Sequence, residues 1–148
     1  MNRSRTFWRT LLCAVFGGVF VYAGVLKALD PTLFLLDVRS FNLLPDPFAA
    51  WLALGLPWLE IAAGVAVLLG VGRLGGLTVL LGLLLVFLIV IGISWARGLD
   101  ISCGCFGGQA EVSDYLELVV RDAILLALGV LCAVLAARSS LTEAAAHS

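Results

Sequence analysis

The sequence predicts an all-α integral membrane protein, a four-helix bundle with both termini in the cytoplasm, and three observations predict it. Apolar residues make up 62% of the 148 residues and charged residues 13%, against roughly 45–50% and about 25% in soluble domains. The mean hydropathy is +1.13. Four separate apolar stretches each reach the ~20 residues that a helix needs to cross a hydrocarbon core about 30 Å thick. The expected organisation is a single transmembrane domain over residues 1–148, with the lipid bilayer as its first partner. A formal net charge of −1 offers no basic surface for nucleic acid.

The first stretch follows Arg3, Arg5 and Arg9 and runs from about Phe7 to Leu29. That is longer than the roughly 7–15 apolar residues of a signal peptide, and no small-x-small cleavage pattern follows it. It is read as a retained first helix. Residues 30–47 carry Asp30-Pro31, Asp37, Arg39, Asn42 and Pro45-Asp46-Pro47 and are expected to form a polar loop. The second helix is expected over about 48–69 and the third over about 74–96. Only Val71-Gly72-Arg73 joins them, so the two must be antiparallel neighbours. A second long loop covers residues 97–114, and the fourth helix is expected over about 115–137. The small, polar tail after Arg138 is expected to fray.

Orientation rests on the basic residues. Arg3, Arg5, Arg9, Arg73 and Arg138 lie on one side, and the N-terminal triplet assigns that side to the cytoplasm. Both long loops then face outward across the cell membrane. Trp8 at the inner face, with Trp51, Trp95 and Tyr115 at the outer, fits an interfacial aromatic belt. The many glycines of the spans, Gly17, Gly24 and Gly64 among them, are expected to let helices approach closely, because lipid supplies no hydrophobic drive between helices.

The most informative segment is Cys103-Gly104-Cys105-Phe106-Gly107-Gly108, in the second long loop. Two thiols one residue apart can meet only through a tight turn, which the intervening glycine permits. A disulfide in so small a ring is expected to be strained and therefore labile, which suits exchange better than stapling. An extracytoplasmic position is oxidising enough for such exchange. Arg97, if close, would favour the thiolate. A static loop disulfide, or a pair of inert thiols, fits the same spacing. Zinc fits poorly and no metal is assigned, since a structural zinc takes four ligands and the one histidine, His147, lies in the tail. Cys13 and Cys132 lie at matching depth, about six residues or ~9 Å from the cytoplasmic ends of their helices. They are within reach of each other, and apolar packing is the ordinary role for such cysteines.

Charged residues inside spans are costly and point to function or to pairing. Glu60 falls near mid-membrane in the second helix, with Pro57 one turn outward. Lys27 closes the first helix, Arg97 the third, and Arg121-Asp122 lie about two turns into the fourth. One polar cluster beneath the outer loops is expected, with Glu60 paired to Lys27 or Arg121. Such a pair can fix helix register, tune the thiols or hold a headgroup.

Taken together, these segments resemble the MauE family of membrane proteins, within the wider DoxX-like group. The matching residues are Tyr22-Ala23-Gly24, Lys27, Asp30-Pro31, Leu43-Leu44-Pro45, Leu56-Pro57-Trp58-Leu59-Glu60, Gly64, Arg97-Gly98-Leu99-Asp100, Cys103-Gly104-Cys105-Phe106-Gly107 and Arg121-Asp122. The resemblance implies a multi-pass protein of extracytoplasmic thiol–disulfide redox, supporting disulfide formation or maturation of a periplasmic enzyme subunit in methylamine utilisation. It implies that Cys103 and Cys105 are the redox pair, supported by Lys27, Glu60, Arg97, Arg121 and Asp122. The implied protein partner is a thioredoxin-like protein or a periplasmic client. No cofactor is assigned; a membrane quinone is one candidate electron sink. Two other classes stay open, a non-enzymatic scaffold subunit of a redox complex and a small transporter lined by Glu60 and Arg121.

Overall fold

The computed structural model describes residues 2–98 and 115–146, with side chains placed over 6–98 and 116–138. It is all-helical among these residues. Five helices follow one another: α1 (Asn2–Leu29), α2 (Pro31–Ser40), α3 (Phe48–Leu69), α4 (Arg73–Ala96) and α5 (Tyr115–Ala146). Four contain stretches long and apolar enough to cross a membrane: Thr6–Leu29, Phe48–Leu69, Arg73–Ala96 and Leu116–Arg138. They coincide with the four expected spans, and the chain is a multi-pass membrane protein.

Two differences stand out. Residues 30–47 are not simply a loop, because α2 occupies ten of them. Its start has a clear cause. Asp30 is the N-cap, its side chain accepting a hydrogen bond from the Leu33 N–H at 3.0 Å, and Pro31 takes the first helical position, where no N–H is needed. Phe34 and Val38, one turn apart, then face inward onto Ala49 and Ala53 of α3. The second difference is at the C-terminus. Helix α5 continues through Ala146, because Leu141, Glu143 and the alanine run 144–146 are good helix formers even beyond the apolar span.

The connection between α3 and α4 is as short as expected. Gly70 (φ 75°) and Gly72 (φ 61°) both adopt the left-handed conformation that closes one helix and opens the next. Helix α1 packs along α3 through glycines. A Cβ on Gly17 would lie 2.9 Å from the Gly64 carbonyl oxygen, and one on Gly64 would lie 2.9 Å from that of Gly17. Further along the seam, a Cβ on Gly24 would lie 2.9 Å from the Pro57 carbonyl oxygen. The backbones therefore touch along most of the seam, the small-residue packing expected of helices in lipid.

The end of the bundle nearer the termini is filled. Cys13, Phe16 and Phe20 of α1 interlock with Val67 of α3, Leu77 and Leu80 of α4, and Cys132 of α5. The rings of Phe16 and Phe20 meet at a tilt of 57°, 5.1 Å between centroids. The outward surface is apolar, as lipid demands, and Trp8, Trp51 and Trp95 are exposed toward the ends of their helices.

Candidate functional site

At the other end of the bundle, where α2 lies and where the connection from α4 to α5 leaves, the helices enclose a cavity of about 210 Å³. Its walls come from the second half of α1, the first half of α3, the second half of α4 and the start of α5, with α2 above. Among the described residues the lining is apolar except for five side chains: Lys27, Asp37, Glu60, Arg121 and Asp122.

The centre of the site is an ion pair across the α1–α3 seam. Lys27 Nζ donates to both carboxylate oxygens of Glu60, at 2.8 and 2.9 Å, and both side chains are less than a tenth exposed. The Gly24 close approach explains how they meet. With no side chain there, α1 comes down onto Pro57 and Ile61 one turn away, and Lys27 is brought over Glu60. From above, α2 lays the ring of Phe34 against the ammonium, 5.1 Å from Nζ to the centroid. The cation thus has a carboxylate on one side and an aromatic face on the other, and both partners of the pair are buried.

A second pair sits on α5. Arg121 Nε donates to Asp122 Oδ1 at 3.0 Å. The arginine side chain is 30% exposed, whereas the aspartate is almost wholly buried. Oδ2 of Asp122 has no hydrogen-bond partner among the described residues. Lys27 is near enough to interact with Asp122 electrostatically, so the two pairs form one cluster. Asp37 of α2 joins it, buried and lining the same cavity.

The expected partner of Glu60 was Lys27 or Arg121, and Lys27 takes the role while Arg121 turns to its neighbour. Four of the five supporting residues reach the cavity wall. Arg97 is outside it: as the C-cap of α4, its guanidinium donates to the Asn42 carbonyl oxygen at 3.4 Å and ties α4 to the segment after α2. At the surface nearby, Arg39 and Asp46 pair at 2.9 Å. Cys103 and Cys105 lie outside the described residues, on the connection that begins just beyond Gly98. Cys13 and Cys132 do touch, thiol to thiol, within the packed core at the opposite end.

Two contributors had not been expected, Asp37 and Phe34. Their signal was present in the Asp30-Pro31 start and in Phe34, Val38 and Phe41, spaced four and three apart as on one helical face. Phe41 does close the cavity on the α4 side, edge-on to Phe87 with centroids 6.0 Å apart.

The sequence profile of methylamine utilisation protein MauE matches residues 5–136, which include every element of this site. The chain is 43% identical over 88 residues to the methylamine utilization protein MauE of Methylorubrum extorquens, covering 58% of this chain and 47% of the relative. It is 35% identical over 131 residues to the protein of the same name from Paracoccus denitrificans, covering 86% of this chain and 70% of the relative. The matched region thus spans about half the length of the first relative. No solved structure gives a significant match. With the family profile covering nearly the whole chain and both relatives bearing its name, the chain belongs to the MauE family of methylamine utilisation proteins.

Proposed function

We propose that this protein acts in thiol–disulfide exchange on the extracytoplasmic side of the cell membrane, supporting maturation of a periplasmic enzyme subunit of the kind that methylamine utilisation requires. In this reading the N- and C-termini are cytoplasmic and the connection from α4 to α5 is outside. Cys103 and Cys105 form the exchanging pair: a thiolate of the partner attacks their disulfide, a mixed disulfide forms, and a second partner thiolate resolves it, leaving the partner with the disulfide and the pair as two thiols. The protein partner is a thioredoxin-like protein or the client itself. The observation that carries the reading is the sequence Cys103-Gly104-Cys105, in the connection that joins α4 to α5. Arg97, at the start of that connection, supplies positive charge that favours thiolate. The transporter reading is weakened by the packed core around Phe16, Leu77 and Leu80, which fills the bundle beyond the cavity.

Thiol trapping in intact cells tests this. Cys103 and Cys105 should react with a membrane-impermeant maleimide only after reduction, and Cys105→Ser should accumulate a mixed disulfide with a periplasmic protein. Labelling only after the membrane is opened, or a Cys105→Ser variant that supports client maturation like the parent, would sink the proposal.

A further inference from the structure

The cavity has a feature that the ion pairs leave unanswered. Asp122 is 2% exposed and lines it, yet one carboxylate oxygen has no partner among the described residues. An unmade hydrogen bond at a buried carboxylate is expensive, so a donor is wanted there. Arg121 bonds the other oxygen and Lys27 lies within electrostatic reach, while Asp37 and Glu60 face the same space. A neutral hydroxyl supplies the donor without the desolvation that an ammonium would undergo among these mostly apolar walls.

The walls specify the rest of the ligand. Phe20, Phe34, Phe41 and Phe87 all line the space, and aromatic rings pack favourably against flat ring systems. A cavity of about 150 Å³ lined by such residues holds one benzene ring. The 210 Å³ here leaves room for one substituted ring and little more. The space also has an outlet. Leu44, Leu52 and Val86 line it and are at the same time exposed on the apolar surface of the bundle. A chain attached to the ring can leave between α3 and α4 into lipid. At the far end of the bundle the same two helices are held together by the short Gly70–Gly72 connection and by Gly76, whose Cβ would lie 2.8 Å from the Ala63 carbonyl oxygen.

We infer that this cavity is a binding site for a lipid-soluble ring compound bearing a hydroxyl group, of the alkylphenol and hydroquinone class, with the hydroxyl donated to Asp122 and the tail in the bilayer. The inference stands apart from the cysteine chemistry proposed above. It asks for binding alone, and either can fail without the other.

The test uses the full chain in lipid nanodiscs, with a short-chain alkyl hydroquinone, its dimethyl ether and an alkylamine of equal chain length as probes, each titrated by calorimetry. The hydroquinone should bind about tenfold or more tightly than the ether, since only it can donate to the charged acceptor. The amine should compete poorly. Asp122→Asn keeps the shape and, with its carbonyl oxygen held by Arg121, presents an N–H to the cavity. This variant should lose the preference for hydroxyl over ether. Val90→Phe fills the cavity from α4 and should abolish binding while the melting temperature stays near that of the parent. Equal affinity for hydroquinone and ether, tighter binding of the amine, no binding to the folded parent, or binding that survives Val90→Phe would each overturn the inference.

Discussion

The two ends of this bundle are built from the same helices and solve opposite problems. Around Cys13, Phe16, Leu77 and Cys132 the helices close on an apolar core, with the Arg73 guanidinium near Cys132 at its edge. Around Lys27, Glu60 and Asp122 they part to leave a cavity and carry charge into it. The difference lies in what joins α3 to α4. At the first end a three-residue connection and Gly76 hold the two together. At the second no short connection joins them: α3 is entered from α2, and α4 ends at Ala96 well before α5 begins at Tyr115. The end that could be dry and tight is so, and the polar side chains collect where the helices splay.

The sharpest way to break this contrast is to remove one partner of the Lys27–Glu60 pair. Lys27→Met or Glu60→Gln alone leaves a buried group without its complement and should lower stability by about 3–5 kcal/mol. Lys27→Met combined with Glu60→Leu should recover most of that loss, because an apolar pair of similar volume needs no compensation. Reversible unfolding in mixed detergent micelles measures both. If the double variant is as unstable as the worse single one, the pair is doing more than compensating for its own burial.

Much of this contrast was legible in the sequence. The four spans were plain because lipid enforces unbroken apolar runs, and Lys27, Glu60 and Asp122 stood out because charge inside such runs is rare. Which cation Glu60 meets was not legible. That choice depends on Gly24 letting α1 approach Pro57 and Ile61, a matter of helix contact rather than of composition. Helix α2 is hard to read from the sequence because its polar residues, Asp30, Asp37 and Arg39, resemble those of a loop. Its capping aspartate and following proline were the better signal. The contact of Cys13 with Cys132 was foreseeable from depth alone, since both helices keep a constant rise per residue.

The α1–α3 seam runs through both ends, so its glycines sharpen the comparison. A Cβ at Gly24 would lie 2.8 Å from Ile61 Cγ1 and 2.9 Å from the Pro57 carbonyl oxygen, and the backbone atom cannot give way. Gly24→Ala should therefore cost about 1–3 kcal/mol and also move Lys27 off Glu60. Gly17→Ala meets the Gly64 carbonyl oxygen at 2.9 Å in the dry end, so it should lower stability by a similar amount and leave the cavity unchanged. Gly18→Ala meets nothing within 4 Å and serves as the control. Thermal melting read beside hydroquinone titration separates the three. Equal loss of binding in Gly17→Ala and Gly24→Ala would show that the two ends are not independent.

The smallest effect is expected at the start of α2, which among the described elements belongs to the cavity end alone. Asp30 holds the Leu33 N–H at 3.0 Å, and Asp30→Ala removes that cap. The cost should be about 0.5–2 kcal/mol, felt locally rather than across the bundle, because α2 packs chiefly on α3 through Phe34, Val38, Ala49 and Ala53. Hydrogen exchange of the amides from Leu33 to Val38 should accelerate while those of α4 keep their protection. Since Phe34 is the aromatic face over Lys27, a looser α2 should also weaken ring binding in the cavity without unfolding the protein. Asp30→Asn, which keeps an acceptor at the cap, should restore both. If Asp30→Ala instead exposes α3 and α4 together, α2 is not a separable cover and the cavity end unfolds with the rest as one unit.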